Sequence, residues 1–234
     1  MAAATSNDVP VVFVHGWGGN YRDTWQKPGW ADLLGDADRS VIGVDLLGHG
    51  TAPKPHEPDA YGDLTIRIVE AIGSHDTIDA VGFSLGAMTL LELACREPER
   101  FNRLVVMGVG ENIFREDDDA MQGVVAAVEG RGDETNVRAQ LFAQYANQPG
   151  NDPVALAAVF KRPHRRTVTA ERLAAITCPV LVVIGDNDFA GPGEPLAEAI
   201  PNAKLVVLKR TDHFATTESF PAIDAVLEFL GAQI

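Results

Sequence analysis

The stretch Asp79-Ala80-Val81-Gly82-Phe83-Ser84-Leu85-Gly86-Ala87-Met88 limits the fold of this chain more than any other. A run of β-formers stops at a Gly-x-Ser-x-Gly pentad and a helix-forming run, Ala87 to Cys95, begins at once, so the local reading is strand, very tight turn, helix. Ser84 stands at the turn, in a sparsely populated backbone conformation that costs roughly 1–3 kcal/mol. Gly82 and Gly86 have no Cβ, so helix and strand backbones can approach, and Ala87 keeps the contact small. The Ser84 hydroxyl is expected to project above the sheet, with the N-terminus of the following helix beneath it. This context favours a nucleophile over the plainer alternative of a serine that merely caps a helix.

The rest of the chain repeats a strand-then-loop pattern around that point. Val9 to Val14 reads as a buried strand opening into His15-Gly16-Trp17-Gly18-Gly19, a loop able to turn backbone N–H groups inward. A phosphate-loop reading fails because Tyr21 stands where a dinucleotide fingerprint needs glycine. Trp25 to Leu34 has the spacing of an amphipathic helix. Ser40 to Val44 reads as a second buried strand, closed by Asp45-Leu46-Leu47-Gly48-His49-Gly50, where Asp45 and His49 are expected to brace the loop. Pro53 to Pro58 is a loop, and Leu64, Ile68 and Ile72 mark a helix within Tyr61 to Ile72. Arg103 to Met107, Pro179 to Ile184 and Lys204 to Leu208 are further strands, and Pro221 to Leu230 is a terminal helix. From Ile113 to about His164 the strand pattern lapses and Met121, Val124, Val128, Leu141, Phe142 and Tyr145 recur at helical spacing, which reads as a short cap over the sheet. Each remaining loop follows a parallel strand, so Ser84, the aspartates Asp186 and Asp188, and His213 should converge at the carboxyl edge.

Through Gly82-Phe83-Ser84-Leu85-Gly86, the His15-Gly16-Trp17 segment, the Asp45-x-x-Gly48-x-Gly50 loop and the order Ser, Asp, His, nearly the whole chain resembles the α/β-hydrolase family. The resemblance implies an α/β fold: a mostly parallel sheet of about six strands with helices on both faces, residues 1–110 and 165–234 forming the core and residues 111–164 a small helical cap. That family often begins with two further strands, whereas only a short segment precedes Val9 here. It also implies catalytic Ser84, Asp188 and His213, with Asp188 matching a Gly-x-x-Asp pattern from Gly185 and Asp186 left as a turn-forming side chain. The backbone N–H groups of Trp17 and Leu85 would form the oxyanion hole. The Trp17 indole is read equally as core or as acyl-pocket wall. Ile113, Phe114, Leu141, Phe142, Phe160, Phe189 and Phe214 are the candidate pocket residues.

The expected activity is that of a serine hydrolase acting on small carboxylic esters through an acyl-enzyme, with apolar pocket walls. The same triad could instead serve carbon–carbon, lactone or thioester hydrolysis or perhydrolysis, and a non-catalytic ligand-binding member of the fold is the alternative from another class. A net charge of −14 over 234 residues argues against nucleic acid as a partner. No metal or cofactor is implied. Cys95 and Cys178 form no CxxC pair and read as buried free thiols. Met1 to Asp8 lacks the pattern of a signal peptide and no apolar run reaches membrane-spanning length, so a cytoplasmic protein with a small-molecule substrate and no membrane insertion is expected. Oligomeric state is left open. The acidic run Glu116 to Asp119 reads as a solvated helix start, and His164 among Lys161, Arg162, Arg165 and Arg166 as a solvated basic helix end.

Overall fold

Successive strand residues face opposite sides of the sheet, and each side meets its own helices. The computed structural model describes residues 9–115, 118–163 and 168–232. Six strands, β1 (Val11–Val14), β2 (Val41–Val44), β3 (Ile78–Phe83), β4 (Phe101–Met107), β5 (Val180–Gly185) and β6 (Ala203–Leu208), form one all-parallel sheet in the order β2-β1-β3-β4-β5-β6. On one face Val12, Val14, Ala80, Leu104, Val106 and Val182 join a core with Ile68 and Ile72 of α2 (Ile66–Ile72) and Leu90, Leu91 and Leu93 of α3 (Leu85–Arg96). On the other, Val11, Phe13, Val81, Val105 and Val183 pack against Trp25, Trp30 and Leu34, the last two from α1 (Trp30–Asp36), and against Ala222, Ile223 and Val226 of α9 (Phe220–Leu230). The central strands are therefore apolar on both faces, and each Leu or Phe so buried contributes about 1.5–3 kcal/mol.

The chain enters at β1, steps outward to β2, then returns across β1 to β3 and proceeds to β6. The loops after β1 and β3 consequently diverge, which opens a crevice at their carboxyl ends. Between β4 and β5 lie α4 (Asp118–Val128), α5 (Val137–Ala146) and α6 (Pro153–Phe160), followed by the short α7 (Ala170–Leu173); α8 (Glu194–Ala199) joins β5 to β6. His164, Arg165 and Arg166 of the expected basic helix end, Glu116 and Asp117 of the acidic run, and residues 1–8 lie outside the described residues.

Three local expectations change. β2 is an edge strand, so Val41 to Gly43 are partly or fully exposed rather than buried. The helix expected over Trp25 to Leu34 is two pieces, a π-helical turn at Arg22–Gln26 and α1, because Pro28 has no N–H to donate and Gly29 takes φ +93°. The helix within Tyr61 to Ile72 starts only at Ile66, since the Asp63 carboxylate accepts from Thr65 N–H at 2.8 Å and closes a turn of its own.

The amino edge of the sheet carries a buried ionic node. Arg39 Nη2 lies 2.6 Å from Asp79 Oδ2, and the same guanidinium donates to Val9 O at 3.0 Å and Leu230 O at 2.8 Å. Asn102 Nδ2 donates to Asp79 Oδ1 at 2.7 Å, and Arg103 Nη1 lies 3.5 Å from Asp79 Oδ2. A buried charge held this way resists removal of either partner, which typically costs about 3–5 kcal/mol. Cys95 and Cys178 are free thiols, Cys178 buried and Cys95 only partly so, and burial pushes each up to about 11. No helix among the described residues is long and apolar enough to cross a membrane.

Candidate active site

Ser84 has φ +51° and ψ −113°, between the end of β3 and the first residue of α3. Side chains rarely adopt that conformation, and two glycines make room for it. A Cβ on Gly82 would stand 2.7 Å from Ala87 Cα, so Gly82 serves the strand–helix contact as expected. A Cβ on Gly86 would instead run into the carbonyl oxygens of Val14 and His15, so this glycine seats α3 against the neighbouring strand β1 rather than against its own.

His213 and Asp188 come from the loops after β6 and β5. His213 Nε2 lies 3.0 Å from Ser84 Oγ, and His213 Nδ1 lies 2.9 Å from both Asp188 oxygens. Asp188 Oδ1 also accepts Ala190 N–H at 2.8 Å, which fixes the carboxylate to its own loop. Both side chains are buried. The imidazole is flanked by Phe83, with ring centroids 4.9 Å apart, and by Phe189 at 4.2 Å. A carboxylate on one nitrogen places the proton on Nδ1, leaving the Nε2 lone pair facing the serine hydroxyl. Asp186 is exposed and spans to the same histidine loop, accepting Thr211 N–H at 3.3 Å.

The loop after β1 is a tight turn: Gly19 N–H donates to Gly16 O at 3.1 Å, and Gly18 has φ +73°. A positive φ at the third residue makes it type II. A Cβ on Gly16 would stand 3.4 Å from Ser84 Cβ, so the turn lies directly beside Ser84. His15 is fully buried beneath it. Its Nδ1 lies 2.7 Å from Gly16 O, and its Nε2 accepts Leu46 N–H at 3.1 Å, which defines the neutral tautomer. Burial holds His15 below the ordinary imidazole value, and burial first, then the neighbouring His15, brings His49 down to about 3. Asp45 braces the next loop, accepting Tyr21 N–H and Thr51 N–H at 2.8 Å each and Thr51 Oγ1 at 2.9 Å. Burial works to raise its carboxyl, but these donors outweigh it and hold Asp45 below the usual range.

A cavity of about 190 Å³ opens between this turn and the α5–α6 segment and reaches Ser84 and His213. Of the pocket residues expected from sequence, Phe142 and Phe214 line it. Phe160 sits one layer back, stacked on Trp17 at 4.5 Å, so the Trp17 ring is both wall and core. Phe189 covers the far side of the His213 ring and is 40% exposed, and Leu141 is 36% exposed on α5; neither lines the cavity. Ile113 and Phe114 also lie outside its lining, because Glu111 and Asn112 N–H donate to Pro192 O and Ala190 O and tie that turn to the β5 loop. Residues not expected include Phe83, Tyr145, Gln148 and Asn151, with Asn20, Asp23 and Glu218 at the rim. The walls are thus more polar than anticipated, with two carboxylates and no Lys or Arg among the described lining residues. Among the described residues no group of three His, Cys, Asp or Glu side chains could hold a metal.

Fold and site define a doubly wound parallel α/β protein in which a strained serine meets an imidazole and a carboxylate at the sheet's carboxyl edge. The sequence profile of the Alpha/beta hydrolase family matches residues 11–225, and the chain belongs to that family. It is 27% identical to the pimeloyl-[acyl-carrier protein] methyl ester esterase of Neisseria meningitidis serogroup A, over 91% of this chain and 74% of that one. It is 28% identical to the 2-hydroxy-6-oxo-2,4-heptadienoate hydrolase of Pseudomonas putida, over 96% of this chain and 90% of that one. A thermophilic esterase from Thermogutta terrifontis has the same fold, with a TM-score of 0.70 at 21% identity, over 95% of this chain and 89% of that one.

Proposed function

We propose that the protein is a serine hydrolase of small, uncharged carboxylic esters, with Ser84 as nucleophile, His213 as general base and Asp188 as its orienting carboxylate. The observation that carries this reading is the continuous chain from Ser84 Oγ to His213 Nε2 at 3.0 Å and from His213 Nδ1 to Asp188 at 2.9 Å. As Ser84 Oγ attacks the ester carbonyl, its proton passes to Nε2, and Asp188 stabilises the imidazolium that forms. The carbonyl oxygen becomes an oxyanion held by the N–H groups of Trp17 and Leu85, above the N-terminus of α3. Collapse expels the alcohol with the proton from Nε2. Water then enters, deprotonated by the same nitrogen, and releases the acid and Ser84.

A cavity of about 190 Å³ falls below the ~300–1,000 Å³ of pockets that take drug-sized ligands, which supports short acyl or alcohol groups. Asp23 and Glu218 at the rim, with no Lys or Arg among the described residues that line the cavity, disfavour anionic substrates. That bears on the second reading, carbon–carbon hydrolysis of a dienoate like that named for the Pseudomonas putida relative: such a substrate carries a carboxylate for which the described lining residues offer no Lys or Arg. In this proposal residues 111–164 act as the cap that shapes the cavity, and two free thiols fit a reducing compartment such as the cytoplasm. The test is a fluorophosphonate label with intact-mass and peptide analysis, followed by a p-nitrophenyl ester series. One adduct on Ser84 and a kcat/KM maximum between acetyl and hexanoyl are expected. An unlabelled Ser84 would remove the hydrolase reading, and a maximum at dodecanoyl or longer would remove the small-substrate part.

A further inference from the structure

We infer that Asn151, on the segment between α5 and α6, is a positioning residue for the oxyanion hole. The inference rests on the ester-hydrolase reading of Ser84. Trp17 N–H belongs to the Gly16–Trp17 peptide, and in a trans peptide the C=O and N–H point to opposite sides. Gly16 O is engaged twice, by the turn's own Gly19 N–H at 3.1 Å and, from the core side, by His15 Nδ1–H at 2.7 Å. Trp17 N–H is thereby turned the other way.

Among the described residues the Gly18 carbonyl has no such hold from the core. Gly18 carries the positive φ that makes the turn type II, and glycine adopts either sign of φ at little cost. The shape of the turn therefore depends on what holds the Gly18 carbonyl. That group is Asn151: its Nδ2 donates to Gly18 O at 2.8 Å and to Tyr145 O at 2.8 Å. Two carbonyl acceptors fix the amide orientation, since only an NH₂ group can serve both. Trp17 adds a second tie from the same side, its indole Nε1–H donating to Leu156 O of α6 at 3.1 Å. One half of the oxyanion turn is thus set by the sheet and the other by the helical insertion, with Asn151 at the junction.

Asn151 also lines the cavity, so a contact with substrate has to be separated from an effect on the turn. The variants are Asn151→Ala and the near-isosteric Asn151→Asp, which cannot donate when ionised; if the first does not fold, the second is read alone. On p-nitrophenyl acetate, kcat should fall about tenfold, as expected for a small misplacement of an oxyanion donor, with KM within about twofold of wild type. The affinity of a trifluoromethyl ketone, which adds to Ser84 and places its oxyanion in the same hole, should fall by the same factor. An unchanged kcat in a folded variant, a rise in KM alone, or an unchanged ketone affinity would each overturn the inference. The wild-type enzyme keeps the two proposals apart. If it takes a fluorophosphonate on Ser84 and turns over ester while Asn151→Ala equals it, only the role of Asn151 falls; if it does neither, both fall.

Discussion

His49 makes the fold sensitive to mild acid in a way that can be calculated. Its imidazole is fully buried, with Nδ1–H donated to Leu47 O at 3.0 Å and a ring centroid 5.0 Å from that of His15. Burial lowers its pKa from 6.5 to about 3, so between those values the unfolded chain binds a proton that the folded chain refuses. The sign follows directly: stability is fully present above pH 6.5 and is lost as pH falls, by about 1.4 kcal/mol per unit for this one group. At pH 5 the loss from His49 is about 2 kcal/mol, which for a chain of this size lowers Tm by roughly 4–8 °C. His15, also lowered by burial, acts in the same direction. The assay is thermal unfolding from pH 7.5 to 5, above the range in which ordinary carboxylates titrate, on wild type and His49→Gln. The variant starts lower, because the Leu47 bond is lost, but its Tm should fall less steeply with acid. Parallel Tm-versus-pH lines for the two proteins would refute the reasoning.

Ser84→Ala should abolish ester turnover and leave Tm within a few degrees, since no core volume is lost; retained turnover proportional to ester concentration would place the nucleophile elsewhere. Asp188→Asn should lower kcat by roughly 10³–10⁴ through loss of tautomer control, whereas Asp186→Asn should cost less than about 1 kcal/mol of stability, since its amide oxygen can still accept Thr211 N–H. Reversed effects in kinetics and melting would reassign the acid. Gly86→Val should damage folding outright, because the added atoms meet the backbone carbonyls of Val14 and His15 rather than a side chain that can move. A soluble Gly86→Val protein with wild-type Tm would count against the packing of α3 on β1.

The parts of the candidate site that were legible in the sequence are those fixed by local rules. Ser84 is announced by a strand, two glycines and a helix within ten residues, and Asp188 and His213 by the loops that end the last two strands. The fold is legible for the same reason, since buried parallel strands are continuous apolar runs. The cavity wall was only partly legible. Phe160 and Phe142 are the same residue type in the same expected cap, yet Phe160 backs the Trp17 ring from the end of α6 while Phe142 on α5 reaches the cavity, a distinction made only by tertiary packing. Asn151 gave no periodic signal at all. It sits in Pro149-Gly150-Asn151-Asp152-Pro153, which reads as ordinary turn chemistry, and its partner Gly18 lies 133 residues earlier. β2 misled for the opposite reason, because a β-branched run looks the same at an edge as in the centre.

The Arg39 node has a consequence for how the chain can be cut. One guanidinium touches the carbonyls of both Val9 and Leu230, so the residue two positions before β1 and the end of α9 are neighbours although 221 positions separate them in sequence. A few glycines placed between them would close the backbone into a ring without stretching any strand. New ends could then be opened in the exposed turn after α4, around Arg131 to Glu134, on the far side of the insertion from Asn151 in sequence. Such a permuted chain would keep β1, β3, β5 and β6 uninterrupted, and with them every loop that meets at Ser84.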